Sequence, residues 1–355
     1  MEKRTKLLIG SVAAGTLVAG AAAGAGAIMA ARYALGKLRQ HRLRELRGQT
    51  VLITGGSRGL GLALAEEFAQ AGAKIAICAR EQQGLTRAQQ HLEELGAAVC
   101  TVPCDVSKPE EVEEMISTVT RHMGKIDVLV NNAGVIAVGP ILSQELKEFH
   151  EAMEVMFWGT VHTTLAVLPQ MLTRGRGRIV NISSIGGRMS VPHLIPYSCA
   201  KFAITGFSEG LHAELKRYGI HVLTVTPGLM RTGSHLNAHF KGNHESEFGW
   251  FALSGTNPLA STSAQRAAQK IVLAACSNRT ELVIGWQAKI AAALHGMAPG
   301  LTQDALARVN RMLPDAAGPT GKRSGSESQS AVTRSPLTAL GRRAARRYNQ
   351  IKEPA

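Results

Sequence analysis

Thr50-Val51-Leu52-Ile53-Thr54-Gly55-Gly56-Ser57-Arg58-Gly59-Leu60-Gly61 is the stretch that decides the fold. Its first half is short, apolar and β-branched, the composition of a strand buried on both faces of a parallel sheet. Its second half is a glycine-rich turn, and a helical pattern follows from Leu62 to Ala71 and stops at Gly72. Strand, glycine turn and helix in that order bring a pyrophosphate onto backbone N–H groups at a helix N-terminus. Glycines are required there because a Cβ would block either the turn or the approaching phosphate. The spacing is Gly-x-x-x-Gly-x-Gly, not the commoner Gly-x-Gly-x-x-Gly.

Outward from this stretch, strands and helices alternate in the way that builds a parallel sheet. Strands are expected at 74–80, 98–102, 126–130, 177–184, 220–226 and 282–284, with helices at 82–95, 109–123, 144–173 and 262–275. The 126–130 strand ends in Asn131-Asn132-Ala133-Gly134, a polar terminus at the carboxyl edge, where open sheets bind ligands. The 177–184 strand ends in the hydroxyls of Ser183-Ser184, and Tyr197-Ser198-Cys199-Ala200-Lys201 follows with its tyrosine 13 residues after Ser184. If Pro196 opens a helix, Tyr197 and Lys201 stack at i and i+4 on one face. A phenol, whose reference pKa is about 10, exchanges protons poorly at neutral pH; an adjacent ammonium favours its ionised form.

In order and spacing, Thr54-Gly55-x-x-x-Gly59-x-Gly61, Asn131-Asn132-Ala133-Gly134, Ser184, Tyr197-x-x-x-Lys201 and Pro227-Gly228 resemble the signature of the short-chain dehydrogenase/reductase family over roughly residues 48–285. The resemblance implies an α/β fold, a Rossmann-type doubly wound parallel sheet in a single catalytic domain, and carbonyl–alcohol chemistry by hydride transfer. It implies Ser184, Tyr197 and Lys201 as catalytic residues. Ser184 would hydrogen-bond the substrate carbonyl oxygen, Tyr197 would protonate it, and Lys201 would lower the tyrosine pKa and hold the nicotinamide ribose. Ser183 is the rival serine, but strand alternation puts it on the opposite face. For the cofactor, the resemblance implies the turn residues Gly55, Ser57, Arg58, Gly59, Leu60 and Gly61. Further along it implies Asp105 toward the adenine with Val106 beside it, and Asn131, Ala133 and Gly134, with Asn131 stabilising the sheet. Tyr197 and Lys201 belong to this set as well, followed by Pro227, Gly228 and Thr232 on the nicotinamide side.

Cofactor preference rests on charge. About 20 residues past the glycines, where NAD-selecting sites carry a carboxylate, the chain offers Ala79 and Arg80, with Arg58 already in the turn. Two guanidiniums suit a 2′-phosphate, so NADP(H) is expected over NAD(H), although Glu81 next door weakens the case. One departure bears on turnover: where family members read Met-Asp-Val-Asn-Phe, this chain reads Met153-Glu154-Val155-Met156-Phe157. The Asn that usually completes a proton relay is Met156, whose thioether cannot donate. An active reductase is the expectation, and a weak or silent NADPH-binding protein is the alternative.

The formal charge of +14 sits mostly at the ends: residues 1–47 contribute +7 and residues 314–355 contribute +5, leaving +2 for the middle. That distribution argues for a membrane surface and against nucleic acid as partner. Residues 7–31 carry no charge and are long enough to cross a bilayer, with Lys3, Arg4 and Lys6 before them and six Lys/Arg among residues 32–47. A retained single-pass transmembrane helix is expected, with a basic juxtamembrane segment to residue 47 and the catalytic domain cytoplasmic. Cleavage as a signal peptide is the competing reading. Gly20-x-x-x-Gly24 would suit helix–helix contact, and a homodimer is left open.

Residues 229–258 read as an irregular insert in which Phe240, Phe248, Trp250 and Phe251 suggest an apolar lid and a lipophilic carbonyl or alcohol substrate. His235, His239 and His244 lack an adjoining carboxylate pattern, so no metal is expected. The five cysteines are scattered and read as reduced thiols. Residues 286–313 read as amphipathic helices broken at Pro299, and the basic Gly/Ser/Pro-rich 314–355 as a disordered tail.

Overall fold

The structure, a computed structural model, describes residues 36–37, 40–277, 279–316 and 321–351. The chain falls into two units, residues 1–45 and 46–355. In the first, the described residues 40–44 are helical. The expected anchor at 7–31 lies outside the described residues. Among the described residues no helix is long and apolar enough to cross a membrane.

The second unit is built on strands β1 (Thr50–Thr54), β2 (Lys74–Ala79), β3 (Val99–Pro103), β4 (Ile126–Asn131), β5 (Gly177–Ile182), β6 (Ile220–Pro227) and β7 (Glu281–Ile284). They form one parallel sheet in the order β7-β6-β5-β4-β1-β2-β3. The order reverses between β1 and β4, and the carboxyl ends of strands at such a switch point leave a crevice that no crossover helix covers.

Helices α1 (Gly59–Gln70), α2 (Gln82–Glu94) and α3 (Pro109–Met123) connect the first four strands. Between β4 and β5 lie α4 (Leu146–Ala152), a π-helical turn (Met153–Trp158) and α5 (Gly159–Arg174). On one face of the sheet, Val112, Met115, Val167, Met171 and Leu215 pack on Leu52, Leu129, Ile179 and Val222. The alternate residues Val51, Ile53, Val128 and Val130 are equally buried on the other face. Each such side chain contributes roughly 1.5–3 kcal/mol relative to exposure, which is why these strands read as near-continuous apolar runs.

Helix α6 (Ile195–Leu215) opens with a proline in its first turn, as the sequence predicts. The 229–258 stretch departs from expectation. It holds two short strands and α7 (His244–Thr256) rather than irregular chain. A buried ion pair and a buried hydrogen bond hold it: Lys241 donates to Glu148 at 3.1 Å, and His193 Nδ1 meets Glu247 at 2.8 Å. Phe240 and Phe248 are core residues stacked edge to face at 5.3 Å, so the rings close the domain's edge and do not form a lid.

After α8 (Ala264–Ala275) and β7 come α9 (Trp286–Met297) and α10 (Pro299–Asn310), with Pro299 at the break. The expectation of disorder beyond 314 fails over 321–351. Arg323–Ser324 pairs antiparallel with His239–Phe240, and α11 (Ala331–Arg334) and α12 (Ala339–Arg347) follow. Composition pointed the wrong way because this segment is held mostly by small and polar buried residues, with Tyr348 as its one buried large apolar side chain among the described residues. Ala345 is fully buried against Gly233, and Gly341 sits on Thr256 and His235.

Candidate functional site

The glycine turn and the end of β4 are tied together before any ligand is considered. Thr54 Oγ1 accepts from the backbone N–H groups of Asn132 and Ala133, both at 3.0 Å. Asn132 Nδ2 in turn donates to the carbonyls of Thr54 and Gly55 at 3.0 and 3.2 Å. Gly59 has φ +61°, a left-handed conformation that penalises any side chain. A Cβ on Gly61 would lie 2.2 Å from the Gly55 carbonyl oxygen, so this glycine lets α1 start directly beneath the turn. No side chain caps α1 and its first turn carries no acid. Its N–H groups are therefore held for an acceptor that does not come from the turn itself.

These elements border a cavity of about 300 Å³ that runs along the carboxyl edge of the sheet. Ser184, Tyr197 and Lys201 all line it, together with Gly55, Gly59 and Gly134. The three side chains that the sequence separated by up to 17 positions therefore meet in the glycine-lined pocket. Ser184 Oγ accepts from the Gly186 N–H at 3.1 Å, which leaves its own proton free to donate. Ser183 is occupied elsewhere: it is buried, donates to the Lys201 carbonyl at 3.0 Å and meets Thr205 at 2.7 Å. Lys201 is 4% exposed, donates through Nζ to the Ile182 carbonyl at 2.7 Å, and lies 5.6 Å from the Tyr197 ring centre.

The electrostatics differ from the simple picture of a cation acidifying a phenol. Burial pushes the Tyr197 hydroxyl above its ordinary value, and a hydrogen bond with Ser184 offsets part of the rise. Burial also lowers the Lys201 ammonium to about 8. Both groups are driven toward their neutral forms by leaving water.

Ser57, Arg58, Leu60, Arg80, Asp105 and Val106 also line the cavity. Asp105 accepts from the Ser107 N–H and hydroxyl through Oδ1 at 3.1 and 2.8 Å. Burial lowers the Arg58 pKa, Glu81 opposes that shift and Arg80 adds to it; the carboxylate of Glu81 stands 3.9 Å from the guanidinium. Ala133, Pro227, Gly228 and Thr232 line it too. Two expected cofactor residues do not reach the cavity. Gly61 is taken up by helix–turn packing, and Asn131 is buried in a network with Thr163, Thr164 and Asn181 at 2.7–3.0 Å. The latter is the sheet-stabilising role the resemblance implied.

Met156 sits in the π-helical turn, fully buried among Ala152, Ala200 and Ile204. It also packs beneath Gly134, where a Cβ would meet its sulfur at 3.4 Å. The position where the resemblance implies a relay Asn is filled by an apolar side chain, with Tyr197 packed against the same cluster.

Arg87, Asn349 and Gln350 also line the cavity, and sequence reasoning missed all three. Arg87 lies on α2, for which the sequence suggested no role beyond helix, and the other two fall in the segment taken for a disordered tail.

Comparison with known proteins agrees with this geometry. Residues 49–240 match the short chain dehydrogenase family. A dehydrogenase/reductase SDR family protein 7-like of Anopheles gambiae is 40% identical over 56% of this chain and 64% of its own length. Dehydrogenase/reductase SDR family member 7B of Danio rerio is 35% identical over 67% of this chain and 75% of its own. Among solved structures, a gluconate 5-dehydrogenase from Burkholderia cenocepacia in complex with NADP and tartrate superposes with a TM-score of 0.61. It is 28% identical, and the match covers 71% of this chain and 98% of that one.

Proposed function

Because this chain belongs to the short chain dehydrogenase family and is an oxidoreductase, we propose that it is an NADP(H)-dependent reductase of a lipophilic ketone or aldehyde, held at a membrane. The observation that carries the reading is the convergence of Ser184, Tyr197 and Lys201 on the cavity that the glycine turn opens into. A nicotinamide dinucleotide, when bound, exchanges a hydride with the carbonyl carbon.

The chain's own residues do the rest. Ser184, its lone pair satisfied by the Gly186 N–H, donates to the carbonyl oxygen and stabilises the charge that grows there. Tyr197, kept protonated by burial, gives that oxygen its proton. Lys201, fixed by the Ile182 carbonyl, supplies positive charge beside the phenol and can hold a ribose hydroxyl.

The preference for NADP(H) is supported by Arg58, Arg80 and Arg87, three guanidiniums at one end of the cavity, since Arg pairs with phosphate in a bidentate fork. An apolar substrate is supported by Val135, Ile136, Val155 and Met230, which line the cavity. The uncharged 7–31 segment supports a membrane anchor. So does the exposed row Trp286, Ile290, Leu294 and Met297, repeated at helical spacing along α9.

Purified protein is expected to consume NADPH in the presence of medium- and long-chain ketones or aldehydes, and NADH more slowly. Tyr197→Phe should abolish turnover while the protein still binds NADPH. Undiminished turnover in that variant would refute the assignment. The silent-protein alternative is favoured by one observation, the dry Met156, and would show as NADPH binding without turnover on any carbonyl.

A further inference from the structure

The N-terminus of α1, left uncapped by its own sequence, is capped in the structure by the other end of the chain. The Gly59 N–H donates to the Tyr348 carbonyl at 2.9 Å. Tyr348 is the C-cap of α12, so the orphan carbonyl at one helix's negative end meets the orphan N–H at another's positive end.

The next two residues hold this contact in place. Asn349, in the left-handed region at φ 53°, donates through Nδ2 to the carbonyls of Ser57 and Gly84 at 2.9 and 3.0 Å. Its Oδ1 accepts from Arg87 Nε at 2.7 Å. Gln350 accepts twice from Asn237 Nδ2, at 2.8 Å through its carbonyl and 2.7 Å through its side chain. Its amide nitrogen lies 2.5 Å from the point where a Cβ on Gly59 would stand, so it fills the space that the glycine leaves open.

From this geometry we infer that residues 348–350 form a strap across the pyrophosphate subsite, and that a dinucleotide binds by displacing it. The inference rests on the cofactor reading above. The Tyr348 carbonyl is a mimic of a phosphate oxygen: it takes the same N–H, in the glycine turn, that a pyrophosphate would need. Gln350 occupies the approach that the absent Cβ of Gly59 provides. Asn349 engages Arg87, one of the guanidiniums that would meet phosphate. The cavity that remains beside the strap, about 300 Å³, is at the low end for a ligand site. A pyrophosphate carries full charges where the carbonyl carries a partial one, so displacement is favourable, but every bond of the strap is subtracted from the cofactor's affinity. The chain thereby sets the cofactor concentration at which it becomes competent. Anything that draws α12 away, an anionic surface taking its Arg342, Arg343, Arg346 and Arg347 for instance, would lower that threshold.

The test uses the full chain. NADPH affinity is measured by nicotinamide fluorescence and calorimetry for the wild type, Asn349→Ala and Gln350→Ala, and amide hydrogen exchange is followed at residues 348–350 with and without NADPH. Each variant should bind NADPH more tightly, on the order of tenfold for Asn349→Ala, which loses three hydrogen bonds of the strap. In the wild type, saturating NADPH should speed exchange at 348–350. Equal or weaker binding in both variants overturns the strap, as does slower exchange at 348–350 with NADPH, which would make the segment part of the bound site. Failure of NADPH to bind any of the three proteins overturns the cofactor reading itself and the strap with it, so the two failures are told apart.

Discussion

Lys201 is a cation where the fold gives it little compensation, and that should be visible in stability before any substrate is added. Its ammonium is 4% exposed and has the Ile182 carbonyl at 2.7 Å as a partner, which a neutral amine could keep. Burial lowers its pKa from 10.5 to about 8. Between these values the unfolded chain holds a proton that the folded chain has lost, so stability rises with pH across that window. Below pH 8 the full penalty of burying the charge applies, and above 10.5 it is gone. At 1.36 kcal/mol per unit, the difference is on the order of 3 kcal/mol. Other groups titrate in the same range, so the measurement must be differential. Urea unfolding of the cofactor-free wild type and of Lys201→Met, a neutral side chain of similar length, is followed at pH 7.5, 9 and 10.5. Lys201→Met should be the more stable protein at pH 7.5, and its advantage should shrink toward zero by pH 10.5. Parallel stability curves for the two proteins would refute the reasoning, because they would show that the folded lysine titrates like the unfolded one.

Two further outcomes are expected. Met156→Asn places an amide in a fully buried apolar pocket, which should cost about 1–3 kcal/mol of stability. It should also raise kcat by on the order of tenfold and shrink the solvent isotope effect, because a polar group there admits water beside Lys201. Unchanged kcat and isotope effect would show the proton already returning through the cleft. For the membrane, full-length protein expressed in its host should stay in the membrane pellet through an alkaline wash, and deletion of residues 1–47 should release it. Release of the full-length chain by the wash would remove the spanning anchor from the proposal.

What could be read in the sequence was set by periodicity and by residues with one physical use. The β1 run and the Gly55–Gly61 turn announce a buried strand feeding a helix N-terminus, and the sheet order follows once each strand is followed by a helix. Ser184 could be separated from Ser183 by alternation together with its 13-residue spacing to Tyr197, and the two serines do make different hydrogen bonds, Ser183 inward to Lys201 and Ser184 to the Gly186 N–H. Asn349 and Gln350 could not be found that way. Their roles depend on a backbone carbonyl and two side-chain amides reaching 290 residues back along the chain, which leaves no periodic trace. The aromatic cluster at 240–251 misled for a related reason: composition counts rings, but only packing decides whether Phe240 and Phe248 face a ligand or each other.

The pKa directions add an argument about the sense of the reaction. Oxidising an alcohol requires a phenolate at Tyr197 to accept its proton, whereas reducing a carbonyl requires the phenol to give one. Burial raises the tyrosine above its ordinary value, and the adjacent lysine is itself pushed down to about 8. Near neutral pH the phenol is therefore protonated and the ammonium still charged, the pair that carbonyl reduction needs at its start. Raising the pH above 8 discharges Lys201, so this protonated pair is lost on the alkaline side. The fully buried Met156 offers no side-chain donor at its place in the helix, and the Met156→Asn variant tests whether proton return limits the rate.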